Sequence, residues 1–86
     1  MVVSARELEK RHGLVWLAMI TSAENPRWDS DVAVSDLKLA ALPAPSRVRA
    51  AKIATVDATR ILRRIGRLSS KDAKGVKATL QKLMAD

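Results

Sequence analysis

The feature that most constrains this chain is its longest apolar run, residues 14–20, which ends directly in the hydroxyl pair Thr21 and Ser22. Apolar residues fall on both parities of the run, so a strand made from it would be buried on both faces rather than alternating. Its length and its Val, Trp and Ile content favour a strand of about seven residues, roughly 23 Å long. Periodicity alone leaves a buried helix segment open. A central strand ending in two hydroxyls, followed by a polar loop with Asn25, Pro26, Arg27 and Trp28, is a good place for a site. Strand ends hold side chains rigidly, while the loop beyond gives a ligand access.

The 86 residues predict one domain over 1–86 with a modest core, since a chain of this size buries only about 60–65% of its unfolded surface. The absence of Cys excludes disulfides and thiolate metal sites. No apolar run reaches the roughly 18 residues of a membrane helix, and the N-terminal residues lack a basic segment followed by a long apolar one. The expectation is a soluble, cytoplasmic protein with no membrane partner.

Charge is uneven along the chain. Residues 47–86 carry eleven Lys/Arg against three acids, whereas residues 1–46 carry five against six. The asymmetry points to a polyanionic partner, nucleic acid before membrane, because no segment sets a basic face against a bulky aromatic one. A surface that is basic only for solubility is the plainer alternative.

In chain order, Ser4 and Glu7 have the spacing of a capping box, which predicts a helix to about His12 with Gly13 in the left-handed position after it. Val2 and Val3 read as the last residues of a strand. Residues 31–34 form a short strand, residues 37–42 fit neither period, and Pro43 and Pro45 set a rigid turn. A second strong strand covers 47–56, anchored by Val48, Ile53 and Val56. The chain turns at 57–59, and Ile61, Leu62 and Ile65 lead to a short strand or turn at 66–68. Ser69 or Ser70 caps a last helix with Asp72 in its first turn. Ala73, Val76, Leu80 and Leu83 form one apolar stripe on it, interrupted by Gly75 at a cost near 1 kcal/mol.

Taken together, Val2-Val3-Ser4, Gly13-Leu14-Val15, Ile20-Thr21-Ser22, Asp31-Val32, Leu42-Pro43, Ser46-Arg47-Val48-Arg49, Lys52-Ile53-Ala54-Thr55-Val56 and Ile65-Gly66-Arg67-Leu68 occur in an order and spacing that resemble the PemK/MazF family of bacterial type II toxins. The resemblance spans essentially the whole chain. It implies an α+β, mainly β fold: a small SH3-like (CcdB/PemK-like) barrel with flanking helices and a C-terminal helix. It also implies a homodimer that cleaves single-stranded RNA at short sequences without metal or other cofactor, and an antitoxin protein whose extended tail covers the RNA groove. Members of the family have an earlier strand and basic loop, and an Arg-Pro pair leading into the Val-Val-Ser strand. That Arg is the family's principal catalytic residue. Here Met1 stands where the pair would be, so the N-terminal strands are missing from these residues, and the expectation is a start upstream or a shortened relative. These 86 residues alone are expected to cut RNA very slowly or not at all.

Metal-free RNA cleavage needs a group to take the 2′-hydroxyl proton, a donor to the leaving oxygen and positive charge for the phosphorane. Thr21 matches the family's Thr and would donate to the scissile phosphate, with Ser22 a second donor; otherwise Thr21 caps a strand end. His12 is the sole histidine, which rules out a two-histidine mechanism. It reads as a surface residue favoured by the helix dipole. Asp29 and Asp31 alone make a poor hard-cation site, so no metal is expected. For RNA binding, Asn25 and Arg27 lie in the loop beyond Thr21. Trp28 there stacks an unpaired base or simply covers the barrel end, and Trp16 reads as core. Arg47, Arg49 and Lys52 alternate along a strand, so some share a face and line a phosphate groove. Many members of the family have an acidic or amide pair where Ala51 and Lys52 stand. Arg60, Arg63, Arg64 and Arg67 form a second basic cluster, read equally well as solvated surface. Two other functions stay open: an inactive relative that keeps antitoxin or RNA binding, and a small basic nucleic-acid-binding protein.

Overall fold

A computed structural model of the protein describes residues 1–61 and 65–85. Leu62, Arg63 and Arg64, and the readings placed on them, lie outside the described residues. Helix α1 (Arg6–His12) stops at Gly13, whose φ of 65° is left-handed and whose N–H donates to the Glu9 carbonyl, as expected of a residue without Cβ. The predicted capping box does not form. Ala5 is the N-cap without a side-chain bond, and the Ser4 hydroxyl instead accepts from the Trp16 N–H at 3.0 Å. The sheet draws Ser4 away: Val2 bridges Leu17, the Val3 N–H donates to the Trp16 carbonyl, and the Ala18 N–H donates to the Met1 carbonyl. Glu7 pairs with Arg11 one turn on, at 2.7 Å.

The apolar run is strand β1 (Leu14–Ser22), two residues longer than expected. Strands β2 (Asp31–Ala33) and β3 (Ser46–Asp57) complete an antiparallel sheet of order β1-β3-β2. The central strand is therefore β3, and β1 lies to one side of it. The exposures along β1 correct the expectation that it is buried on both faces. Val15 and Ala18 are buried, but Trp16 is 41% exposed, Met19 46% and Ile20 36%, so Trp16 is not core.

Between Ala18 and Met19 the pairing of β1 with β3 jumps, from Ala18 opposite Ile53 to Met19 opposite Arg49. Ala50, Ala51 and Lys52 thus form an irregularity in β3 that bends the strand and re-aims its faces. Beyond it, Thr21 pairs with Arg47 and Met19 with Arg49 on one face, while Ile20 pairs with Val48 on the other. Val48 enters a core with Ala18, Val34 and Val76, flanked by Met1, Val3, Leu37, Leu42, Leu68 and Leu80. Residues 37–42 are turns and lay Leu37 and Leu42 on that core. Ile65 to Ser69 form no strand; at Gly66 a Cβ would overlap the Ala40 carbonyl group.

Helix α2 (Ser70–Met84) is capped as expected by Ser69, whose hydroxyl accepts from the Asp72 N–H. Its stripe is buried at Val76 and half-buried at Ala73 and Leu80, but Leu83 is 51% exposed, so the stripe ends one residue early. Gly75 lies against β2, where a Cβ would stand 3.4 Å from Val32 Cγ1, an ordinary contact. Gly75→Ala should thus raise stability by about 0.5–1 kcal/mol through helix propensity, read as a higher Tm by thermal denaturation.

Candidate nucleic-acid interface

The face of the sheet away from the core gathers Thr21, Arg47, Arg49 and Asp31, because register sets Thr21 beside Arg47 and Asp31 beside Arg49. The Thr21 hydroxyl accepts a 2.7 Å bond from Asn25 Nδ2. A hydroxyl that accepts still holds its proton, and no described acceptor takes it. Ser22 points to the opposite face, and its hydroxyl accepts from the Glu24 N–H at 3.2 Å. Thr21 and Ser22 are thus neighbours in sequence but not on one face.

The two arginines hold the loop between β1 and β2. Arg47 Nη2 donates to the carbonyls of Ala23, at 2.8 Å, and Asn25. Its Nε is buried, without a described hydrogen-bond partner, and lies 3.7 Å from Asp31 Oδ2. Arg49 is buried and meets Asp31 in a two-pronged pair, Nε to Oδ1 at 3.1 Å and Nη2 to Oδ2 at 3.0 Å. Nη2 also donates to the Pro26 carbonyl at 2.8 Å, and the guanidinium lies 4.0 Å from the centre of the Trp28 ring. Such two-pronged pairs fix orientation as well as energy. Asp31 closes the loop further: its Oδ2 accepts from the Trp28 N–H, and its own N–H donates to the Trp28 carbonyl, both at 3.0 Å. The bonds from Arg49, against the opposing effect of burial, hold the Asp31 carboxyl below its ordinary value.

Trp28, 43% exposed, keeps one face open to solvent. Arg27 is exposed in the same loop, and Lys52 is exposed in the β3 irregularity, away from the regular pairing of Arg47 and Arg49. His12 is exposed at the end of α1. Among the described residues no three His, Asp or Glu gather as a metal site, and none of the helices is long and apolar enough to cross a membrane.

The pairing of Asp31 with Arg49 was not legible in the chain, because nothing local announces the register that brings two residues 18 positions apart together. The same holds for Ser35, which ties β2 to the Asp72 carboxylate on α2. Its N–H donates at 2.7 Å and its hydroxyl lies 2.9 Å from both oxygens.

A bent antiparallel sheet with a helix packed on one face, and charged strand ends on the other, is the architecture of the small SH3-like toxin barrels. The model of the PemK-like, MazF-like toxin of type II toxin–antitoxin systems matches residues 1–84, and the chain belongs to that family. Among solved structures it is similar to the Mycobacterium tuberculosis toxin MazF-mt6, with a TM-score of 0.76 and 18% identity over 95% of this chain and 80% of that one. A second structure, described as an Mtb toxin, has the same TM-score and identity over 95% of this chain and 87% of its own. At that identity both likenesses speak for the fold. No curated protein sequence matches.

Proposed function

We propose that the protein is a metal-independent endoribonuclease toxin that cleaves single-stranded mRNA at short sequences, acts as a cytoplasmic homodimer, and is neutralised by an antitoxin protein. Family membership supports the toxin role. The observation that carries the nuclease reading is the Thr21 hydroxyl, held at the end of β1 by Asn25 with its proton free. In the proposed reaction the 2′-hydroxyl loses its proton to solvent and the 2′-oxygen attacks the neighbouring phosphorus; the bond to the 5′-oxygen breaks, that oxygen takes a proton from water, a 2′,3′-cyclic phosphate is left, and Thr21 donates to the phosphoryl oxygen as negative charge grows on it. Ser22, on the opposite face of β1, has no part in that step. Arg27 and Lys52 supply positive charge along that path, with Asn25 and Trp28 beside it, and Arg47 and Arg49 beneath.

Binding of an uncleavable single-stranded RNA should weaken steeply with salt, because each phosphate contact releases counterions. Two contacts, one each from Arg27 and Lys52, give a slope of about −1.4 in log affinity against log salt. A slope near zero between low and physiological ionic strength would remove the phosphate-lined path from the proposal.

A further inference from the structure

The same face shows a division of labour between residues that hold the loop and residues that it presents. Trp28 is fixed at three points, all through Asp31 or its partner. The Trp28 N–H and carbonyl bond to Asp31, and the indole lies on the Arg49 guanidinium that Asp31 grips. The Asp31 side chain is fully buried and that of Arg49 nearly so, which removes both from direct contact with a large ligand. One indole face lies against the guanidinium, and the residue is still 43% exposed. An exposed tryptophan tied in this way has lost its freedom before any ligand arrives, and preorganisation of that kind raises affinity by lowering the ordering cost of binding.

We propose that Asp31 and Arg49 are positioning residues that set Trp28 as a stacking platform for one unpaired RNA base, with Arg49 beneath the indole and the base above it. The inference rests on the RNA-binding reading above and gives it a subsite. A guanidinium under the ring and a base over it form a continuous stack, in which the cation interacts with the indole π-system. Arg47 plays the parallel part at the start of the loop, through Ala23 and Asn25, and so supports the Asn25 bond to Thr21.

The test uses a Trp16→Phe background, in which Trp28 is the one indole, and a series of uncleavable single-stranded RNA oligonucleotides. One is intact and each of the others lacks a single base at a different position. The expected result is a position at which removing the base weakens binding roughly tenfold, the range of one base–aromatic stack. Trp28→Ala should abolish that difference, and Trp28→Phe should retain part of it. Asp31→Asn and Arg49→Lys should also reduce it to less than threefold, while both variants still bind RNA and unfold cooperatively. In both, acrylamide should quench Trp28 fluorescence more strongly without RNA. Should Asp31→Asn fail to fold, Arg49→Lys carries the test, since it keeps the charge and loses the planar two-pronged pair. Folded variants that keep the full intact-to-abasic ratio would overturn the positioning role. Failure of the unsubstituted protein to bind RNA at low salt would overturn the parent reading, and the base subsite with it. RNA binding with no position sensitive to base removal would overturn the subsite alone.

Discussion

Replacing Thr21 with Ala should slow RNA cleavage about 10²–10³-fold, the usual cost of one preorganised donor to a developing oxyanion. The substitution removes the one free proton donor that β1 places on the face carrying Arg47 and Arg49. It leaves the strand pairing untouched, because the bonds between β1 and β3 run through the backbone. The Asn25 amide loses an acceptor but is exposed and can turn to water, so the loss of stability should stay below about 1 kcal/mol. The rate ratio, measured in single turnover, then separates chemistry from folding. Thr21→Ser should recover much of the rate, since it restores the hydroxyl. If an Arg-Pro segment precedes these residues in the complete protein, the comparison belongs in that form.

The largest loss of stability should come from Asp72→Ala. This carboxylate sits in the first turn of α2, buried, with the Ser35 N–H and hydroxyl on it. It ties the helix to the segment that follows β2. Removing it leaves the Ser35 N–H without its partner and takes a negative charge from a helix N-terminus. The expected cost is about 2–3 kcal/mol, or a fall in Tm of roughly 10–20 °C for a domain of this size. Burial opposes the Asp72 charge, but the bonds from Ser35 and Ser69 prevail and hold its pKa below the ordinary 3.8. Asp31 is shifted in the same direction. Both carboxyls therefore bind protons more readily in the unfolded chain. Their contribution to stability is complete above about pH 4 and is lost as pH falls through their lower folded values. Thermal melts from pH 6 to pH 2.5 should show this decline, and Asp72→Asn should flatten part of it while starting from a lower Tm.

What could be read from the chain was what depends on neighbours in sequence. Gly13 ends α1, Ser69 caps α2, and Pro43 and Pro45 turn the chain into β3, because each acts on residues within a few positions of itself. What could not be read depends on pairing at a distance. The register jump opposite Ala18 and Met19 decides which side chains of β3 share a face. It leaves Lys52 apart from Arg47 and Arg49, which strand alternation alone puts together. Trp16 reads as core from hydrophobicity alone, which does not say how much of each face of β1 a second layer covers. Ser4 fits a capping box in sequence, yet the Trp16 amide competes for its hydroxyl and wins. Of the candidate site, Thr21, Asn25 and Trp28 stood out as polar and aromatic residues beyond an apolar run. The roles of Asp31 and Arg49 emerged only with the β2–β3 pairing, which binds the carboxylate that had looked like a weak cation ligand.

The claim at the centre of this account is that the Thr21 face cuts RNA without a metal ion. The direct measurement is cleavage of end-labelled single-stranded RNA in EDTA by the complete protein, any preceding Arg-Pro segment included, and by its folded Thr21→Ala variant. The account predicts cuts at a small set of positions by the former, and a rate at least a hundredfold lower for the latter. Equal rates for the two proteins, or cleavage that appears only when a divalent cation is added back, would contradict it.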